Sequence, residues 1–425
     1  MGVGLRFIHT GDLHLDSPFQ GIAQAAPERI VTALRDATLR SWERIVGLAI
    51  SERVDAVLVA GDVFEGANRT LRGQVAFRDG LARLAAEGIP SYVVTGNHDP
   101  LSGWEPTVTW PELAWRFGAT EPASRPIVRD GAEIARVHGI SYAVRDVSRN
   151  LAATFRRDPE EPFAIGLLHA NVGGIEGYAN YAPCSMGDLV ASGMDYWALG
   201  HIHRHGVLRA AAPTVVYCGN PQGRDPGEAD PRGCYLVSVD EAGAVVPEFR
   251  AMDVVRWQRL TVQVDAIATE EALVQAVGGA IEAAADAAGR SIVAIVSLTG
   301  RGPLHASLRR PDVLDDLHGL VRAQFGAGEP FAWLDSIRDE TRPSLDLAAR
   351  REAGDLLGES LREFNRSRAA LAEGQQADLD DMLSDLYDHA RARRLLRGGR
   401  PDAAGFRAML DSAEALLIDQ LDDAG

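Results

Sequence analysis

Five short polar blocks lie in the first half of the chain, and each directly follows a predicted β-strand. In open α/β sheets, ligands bind beyond the carboxyl ends of the strands, so blocks that are distant in sequence can converge on one crevice there. The chain is therefore expected to adopt a fold that gathers several strand ends. The blocks are Asp12-Leu13-His14, Gly61-Asp62, Gly96-Asn97-His98-Asp99, His169 and Gly200-His201-Ile202-His203.

The intervals between these blocks have the pattern of an α/β domain, in which short apolar runs alternate with amphipathic stretches. Helical patterns at 27–52 and 70–87 separate the first three predicted strands. This βαβαβ order predicts parallel strands at the start of the chain. The predicted strands are 6–10, 56–60, 91–95, 134–139, 163–168, 196–199, 214–218 and 233–239.

The rest of the chain is expected to form additional regions, because 425 residues exceed one average core. From Trp257 the pattern changes to strand, helix and strand, and after residue 340 it becomes helical. We therefore expect a large α/β domain at 1–250, a small α/β capping module at 251–340 and a helical C-terminal region at 341–425.

Two features of the C-terminal region leave its role open. An apolar stripe at helical spacing includes Leu357, Leu361 and Leu371, and it indicates either internal packing or a docking surface for a partner coiled coil. The arginine-rich stretch at 391–400 indicates either a solvated helix face or a contact with DNA or a partner.

Composition narrows the class of partner. The net charge of −17 argues against broad attraction to polyanions, because such binding grows with the number of phosphates that a protein neutralises. A nucleic-acid substrate is allowed by this charge but not indicated by it. No apolar run approaches the roughly 18 residues that span a bilayer, so we expect no membrane segment and a cytoplasmic protein. The cysteines form no CxxC pair and are expected to be buried and free.

The residue types in the blocks favour a transition-metal site. Carboxylates, an amide oxygen and imidazoles together suit Mn²⁺, Fe or Zn²⁺ better than Mg²⁺ or Ca²⁺, which prefer shells made only of oxygen. In DxH and HxH, alternation along an extended backbone points both ligands to the same side. Asp62 is interpreted as a bridging carboxylate that holds two cations about 4 Å apart, where a water becomes a hydroxide that attacks phosphorus.

The ordered series DxH, GD, GNHD, H and GHxH resembles the calcineurin-like metallophosphoesterases, which have an αββα sandwich architecture. Within that superfamily, the stretches at 12–18, 195–203 and 219–224 resemble the SbcD and YhaO group of bacterial DNA repair exonucleases. The resemblance extends well over 5–240 and loosely over the next hundred residues. It identifies 1–250 as a dinuclear-metal phosphoesterase domain.

The resemblance implies roles for individual residues. His98 would be the catalytic histidine that contacts the scissile phosphate or protonates the leaving group. One metal would be bound by Asp12, His14, Asp62 and His203, and the other by Asp62, Asn97, His169 and His201. Mn²⁺ is the favoured ion, with Fe or Zn²⁺ as alternatives.

The resemblance further implies a substrate and partners. The expected activity is metal-dependent exonuclease cleavage of DNA in repair. The expected partner is a coiled-coil ATPase of the SMC type, SbcC or YhaN in kind, and a homodimer is allowed. Two other functions stay open: hydrolysis of a nucleotide or other small phosphate ester, and a non-catalytic scaffold within a DNA-repair complex.

One departure from the pattern concerns Glu65. Several nucleases of this superfamily carry a second active-site histidine three residues after the GD aspartate, where this chain has glutamate. Glutamate cannot supply a cationic donor to the transition state, so no such contribution is expected from this position. Glu65, like Asp16 and Asp99, is interpreted either as a carboxylate that orients an imidazole or as a solvated turn residue. His9 and His205 lie near ligand blocks and are interpreted as structural residues, with an outer role beside the ligands as the alternative.

Overall fold

The computed structural model describes residues 4–19, 26–66, 70–102, 108–175, 177–325, 328, 330–372 and 402–422. The chain divides into two compact units. One contains Met1–Val262, Val274–Ser297 and Asp315–Arg338, and the other contains Gln263–Leu273, Leu298–Leu314 and Asp339–Gly425. The arginine-rich stretch at 391–400 lies outside the described residues.

Strands and helices alternate over the first 94 residues, as the sequence predicts. The strands are β1 (Leu5–Thr10), β2 (Ala56–Ala60), β3 (Ser91–Val94), β4 (Ala114–Arg116), β5 (Ala123–Arg129), β6 (Ala132–Gly139), β7 (Ala164–His169), β8 (Tyr196–Gly200), β9 (Gly206–Arg209), β10 (Thr214–Tyr217), β11 (Gly233–Val239), β12 (Val245–Ala251), β13 (Val255–Gln263), β14 (Ser291–Gly302) and β15 (Ala332–Pro343). The α-helices are α1 (Glu28–Ser51), α2 (Leu71–Ala86), α3 (Met186–Ala191), α4 (Glu270–Ala288), α5 (His305–Leu308), α6 (Pro311–Phe325), α7 (Leu347–Glu352), α8 (Leu356–Ala372) and α9 (Ala403–Asp422). Two short 3₁₀-helices are Ala152–Thr154 and Pro226–Glu228.

Two six-stranded sheets form the body of the first unit. The first has the order β12-β11-β1-β2-β3-β4 and the second β5-β6-β7-β8-β10-β9. Strands β1, β2, β3 and β4 are parallel neighbours, and so are β6, β7, β8 and β10. The predicted parallel start of the chain is confirmed. Consequently the carboxyl ends of several neighbouring strands share one edge in each sheet.

Apolar residues that alternate along the strands join these sheets into a layered sandwich. Phe7 and Leu58 point into a core between the sheets, where they meet Ile165 and Tyr196 of the second sheet. The opposite face of the first sheet packs against α1 and α2, and the opposite face of the second packs against α3 and its surrounding loops. The order helix, sheet, sheet, helix confirms the predicted αββα fold class.

The strands that sequence analysis missed lie at or next to sheet edges. They are β4, β5, β9, β12 and β15, each of which is an edge strand of its sheet. Most residues of β5, β9 and β12 are exposed or half-buried, so these strands lack the apolar runs that identify the inner strands. A partner on only one side removes the need for continuous hydrophobicity.

A third sheet has the order β13-β14-β15. Within the first unit, Trp257, Val293 and Phe331 of this region pack against Ile30 and Leu34 of α1. Asp253, which is fully buried just before β13, forms ion pairs with Arg256 at 2.7 Å and Arg290 at 2.7 Å. The proposed division into 1–250, 251–340 and 341–425 remains a prediction.

The second unit ends in helices, and its C-terminal helical segment was predicted correctly. Leu357 and Leu361 of α8 pack against Ile418 of α9, so the apolar stripe forms internal contacts. Arg368 of α8 pairs with Asp411 of α9 at 2.8 Å. None of the helices among the described residues is long and apolar enough to cross a membrane.

The buried ion pairs of Asp253 lead to a stability prediction. We expect Asp253→Ala to lower the free energy of unfolding by about 3–5 kcal/mol, because two arginines lose their buried counter-charge. Glu248→Ala is the control, since Glu248 pairs with Arg250 at the exposed edge, where the effect should stay within about 0.5 kcal/mol. Urea unfolding followed by tryptophan fluorescence measures both, and equal effects would contradict the assignment.

Candidate metal centre

The polar blocks follow the carboxyl ends of inner strands from both sheets. Asp12 follows β1, Asp62 follows β2 and Asn97 follows β3, while His169 ends β7 and His201 follows β8. Their side chains or backbone groups meet where the sheets face each other. The backbone N–H of His201 donates to the carboxylate of Asp12 at 3.0 Å, and Nε2 of His169 lies 3.3 Å from Oδ2 of Asp62. The fold therefore brings these sequence-distant residues into one cluster.

Four residues of the polar blocks have left-handed backbone conformations, which set the directions of their side chains. The φ angles are 47° at Asp12, 42° at His14, 51° at Asp62 and 98° at His201. Non-glycine residues in sparsely populated regions cost about 1–3 kcal/mol each and persist where the surroundings fix them. Here the N–H of Asp12 donates to the carbonyl of Gly61 at 2.9 Å, and the N–H of His14 donates to that of Asp62 at 3.1 Å.

Glycine is required at two positions for different reasons. Gly61 has a φ of 92°, and a Cβ there would lie 2.6 Å from Nδ1 of His169. Gly96 has an ordinary φ, but a Cβ there would overlap the Asp62 carboxylate and lie 2.8 Å from the His169 ring. The glycine of GNHD thus provides space for ligands rather than an unusual turn.

One group of metal-binding atoms consists of Asp12, His14 and His203, whose ligand atoms lie within 4.8 Å of one another. Nδ1 of His14 lies 3.0 Å from the carboxylate of Glu65, and Nδ1 of His203 lies 2.5 Å from that of Glu228. A hydrogen on each Nδ1 would face its carboxylate. The two Nε2 lone pairs then face each other at 3.3 Å, an arrangement that a cation between them would stabilise.

A second group surrounds His169. Its Nδ1 donates to the carbonyl of Ala60 at 2.9 Å, so Nε2 faces Oδ1 of Asn97 at 3.1 Å and Oδ2 of Asp62. Nε2 of His201 donates to the carbonyl of Ala179 at 2.7 Å, which leaves Nδ1 of His201 for a ligand. The imidazoles of His169 and His201 have centroids 5.1 Å apart. Nitrogen and oxygen donors in this mixture fit a divalent transition ion.

The electrostatics of both groups attract positive charge. Burial raises the pKa of Asp12 to about 6, against the opposing effect of His169. Burial lowers the pKa of His14 to about 3 and that of His201 to about 4, so both imidazoles are neutral at pH 7. Burial alone would lower the pKa of His169, but the adjacent Asp62 carboxylate raises it to about 9.

His98 lies at the rim of the cluster, with its side chain 29% exposed. Its backbone N–H donates to Oδ1 of Asp62 at 2.9 Å, and its Nδ1 lies 2.5 Å from Oε1 of Glu65. Burial would lower the pKa of His98, but the hydrogen bond to Glu65 and the charge of Asp62 raise it above its ordinary value. A protonated His98 can donate a hydrogen bond or a proton to a substrate oxygen.

Glu65 takes the first of the two roles that the sequence left open, that of a carboxylate beside the imidazoles. Its carboxylate lies between the Nδ1 atoms of His14 and His98, and it also accepts from Arg224 at 3.1 Å. Burial opposes the charge of Glu65, but hydrogen bonds from the two histidines lower its pKa. Arg224 places a permanent positive charge beside this carboxylate. Glu228, whose carboxylate lies beside Nδ1 of His203, was missed by sequence analysis. A single glutamate in a turn rich in proline and glycine has no recognisable spacing.

The neighbouring polar residues have other partners. Asp99 accepts from the N–H groups of Gly96 and Val63, and so links two ligand loops. Nδ1 of His9 forms a hydrogen bond with the hydroxyl of Tyr196 at 3.0 Å. The imidazole of His205 stacks on Phe249, and Asp16 accepts from Thr70 and Arg72.

The free cysteines Cys184, Cys218 and Cys234 are buried, as expected.

Comparison with known proteins agrees with this geometry. The model of the calcineurin-like phosphoesterase family matches residues 5–205. The model of the middle domain of metallophosphoesterase YhaO matches residues 257–342. An uncharacterized metallophosphoesterase YhaO of Bacillus subtilis is 37% identical over 418 residues, which cover 98% of this chain and 98% of that protein.

The chain belongs to the calcineurin-like phosphoesterase family. The resemblance in its sequence blocks is thereby confirmed. As a calcineurin-like phosphoesterase, the chain is a metal-dependent phosphoester hydrolase whose histidine and aspartate residues bind divalent ions.

More distant relatives of this calcineurin-like phosphoesterase are named as a DNA repair protein and a nuclease. The DNA double-strand break repair protein Mre11 of Haloferax volcanii is 30% identical over 236 residues, covering 55% of this chain and 49% of that protein. A component of the nuclease SbcCD of Bacillus subtilis is 23% identical over 256 residues, covering 51% of this chain and 61% of that component. These similarities extend over parts of each protein.

The position of Asp62 between both groups generates a metal-binding prediction. We expect Asp62→Ala to weaken binding of divalent ions by more than about 100-fold, because even an outer partner of a ligand contributes 10–100-fold. Metal content of the purified protein, measured by mass spectrometry, tests this. Asp195→Ala is the control, since Asp195 pairs with Arg157 and accepts a backbone N–H outside the cluster. Full metal content in Asp62→Ala would contradict the bridging position.

Proposed function

We propose that the protein is a DNA exonuclease that uses two divalent ions, with Mn²⁺ favoured and Fe or Zn²⁺ as alternatives. The observation that carries this proposal is the convergence of seven nitrogen and oxygen ligands in two adjacent groups, with His98 beside them at the rim. The proposed ligands of the first ion are Asp12, His14, Asp62 and His203, and those of the second are Asp62, Asn97, His169 and His201.

The bound ions would supply an activated water and neutralise charge on the phosphate. The protein's own residues set the geometry of that reaction. Asp62 lies between the two ligand groups and also orients the backbone of His98. His98 is held through Nδ1 by Glu65, and its other ring nitrogen would donate to a phosphate or leaving-group oxygen.

The choice of DNA as substrate rests on the relatives. Mre11 and the SbcCD nuclease component are similar to about half of this chain. By analogy we propose a role in DNA repair in the cytoplasm, together with a coiled-coil ATPase of the SMC type, SbcC-like or YhaN-like. A homodimer is compatible with the same analogy.

A small phosphate ester is the second candidate substrate. The observation in its favour is the net charge of −17, which weakens general attraction to a nucleic acid. The ligand groups would perform the same chemistry on a nucleotide or another small ester. The two candidate functions therefore share one reaction and differ in the substrate that binds at the centre.

An assay with three substrates separates the candidates. Purified protein with Mn²⁺ is incubated with end-labelled linear duplex DNA, single-stranded DNA and bis-p-nitrophenyl phosphate. We expect progressive shortening of DNA from an end, abolished by a chelator and restored by Mn²⁺. Cleavage of the small ester alone would favour the second candidate. Absence of cleavage with metal bound, even after the ATPase is added, would support a non-catalytic scaffold.

The position of His98 generates a separate prediction. We expect His98→Ala to keep its bound metal but lose about 10²–10⁴-fold in kcat, because general acid–base catalysis contributes that much. Metal content and kcat are measured on the same preparation. His205→Ala is the control, because His205 is near a ligand block yet contacts Tyr235 and Phe249. An active His98→Ala protein would refute the assigned role.

A further inference from the structure

Two carboxylates stand behind the histidines of the first ligand group. Oε1 of Glu228 lies 2.5 Å from Nδ1 of His203, and Oε2 of Glu65 lies 3.0 Å from Nδ1 of His14. Each carboxylate thus lies where it can hold a hydrogen on Nδ1, which would leave both Nε2 atoms, 3.3 Å apart, for a ligand. Partners of this kind hold the ring orientation and increase the basicity of a metal-binding histidine.

Arg224 connects these two carboxylates. Its backbone N–H donates to Oε2 of Glu228 at 2.7 Å. Its Nη1 donates to Oε2 of Glu65 at 3.1 Å and to the hydroxyl of Ser17 at 3.1 Å. The same residue therefore contacts the supporting carboxylate of His14 through its side chain and that of His203 through its backbone.

The burial of these groups makes the connection significant. The side chain of Arg224 is 13% exposed, and Glu228 is buried. A carboxylate buried beside an imidazole needs further donors to stay charged and fixed in place. Arg224 supplies such donors to both carboxylates.

The chain segment around Arg224 is itself firmly held. Asp225 begins the 3₁₀-helix Pro226–Glu228 and accepts from the N–H of Gly227 at 2.7 Å. Arg232 donates to the carbonyl of Glu228 at 3.1 Å. Glu228 therefore approaches His203 from a turn with fixed ends rather than as a loose surface side chain.

We propose that Arg224 and Glu228 are positioning residues for one metal site. Arg224 acts on His14 through Glu65, and Glu228 acts directly on His203. Together they orient both imidazoles of the Asp12, His14 and His203 group. Neither residue contacts the Asn97 and His169 group in the described part of the chain. Loss of either should therefore weaken one metal site and spare the other. This inference rests on the two-ion assignment made under the proposed function, but not on DNA as the substrate.

Titration of the metal-free full chain with Mn²⁺ tests this proposal. Calorimetry gives the affinities, and electron paramagnetic resonance distinguishes a coupled Mn²⁺ pair from a single ion. We expect wild-type protein to bind two ions. We expect Arg224→Leu and Glu228→Leu to weaken one site by about 10–100-fold, as loss of an outer partner does, and to retain the other affinity. The coupled-pair signal should then appear only at higher Mn²⁺ concentration.

Conservative variants separate orientation from folding. Glu228→Gln keeps an oxygen that accepts from Nδ1 of His203, so it should retain more affinity at the weakened site than Glu228→Leu. Arg224→Lys keeps the charge but not the fork of donors, so it should fall between wild type and Arg224→Leu. Because both residues act on one site, the double variant Arg224→Leu/Glu228→Leu should lose less than the sum of the single losses.

Arg157→Leu is the matched control. Arg157 pairs with the carboxylate of Asp195 at 2.6 Å, and that carboxylate also accepts a backbone N–H. Both residues lie outside the cluster. It should leave both Mn²⁺ affinities at wild-type values. Wild-type affinities in Arg224→Leu, or equal weakening of both sites, would overturn the proposal. Wild-type protein that binds one Mn²⁺ would overturn the two-ion assignment as well, whereas failure to cleave DNA with two ions bound would overturn only the nuclease proposal.

Discussion

Mutual repulsion among electron-pair donors at the strand ends is the constraint on which the rest of the structure depends. Two Nε2 atoms, of His14 and His203, lie 3.3 Å apart, and the carboxylates of Asp12 and Asp62 are almost completely buried nearby. Burying such charges costs several kcal/mol each, and the N–H groups of His201 and His98 and the imidazole of His169 offset only part of that cost. Only a stiff framework keeps such groups together before a cation offsets their repulsion. Two sheets packed through a continuous apolar core provide that framework.

The ligand residues also connect the two sheets. His169 ends β7 of the second sheet, yet its Nδ1 donates to the carbonyl of Ala60 in β2 of the first. The backbone N–H of His201, after β8, donates to the carboxylate of Asp12, after β1. Bound metal would strengthen the same junction, because an ion that binds only the folded state stabilises it. The arrangement of the proposed ligands and the attachment of the two sheets to each other therefore depend on the same contacts.

Different physical signals in the sequence predicted the fold and the candidate site. Inner strands such as β2 and β7 could be predicted because both faces are buried, which demands apolar residues throughout. The convergence of the short blocks after those strands could be predicted because the strand direction fixes where the blocks emerge, while their binding of metal stays a prediction. Glu228 could not, since its role arises from a tertiary contact with His203. Glu65 was noticed both as a missing cation and as a carboxylate that could orient an imidazole, but only the fold shows that it lies beside two histidines.

The acidic composition limits how the proposed nuclease would engage DNA. Affinity for a polyanion depends on the number of phosphates neutralised, and a chain with a net charge of −17 carries an excess of acidic groups that repel phosphates. Arg224 and a protonated His98 would place positive charge beside the proposed metal ligands, where a single phosphate would be contacted. Such a centre favours recognition of the scissile phosphate over recognition of a long duplex. Most of the affinity for DNA would then have to come from a partner, which gives the proposed ATPase a physical role beyond ATP hydrolysis.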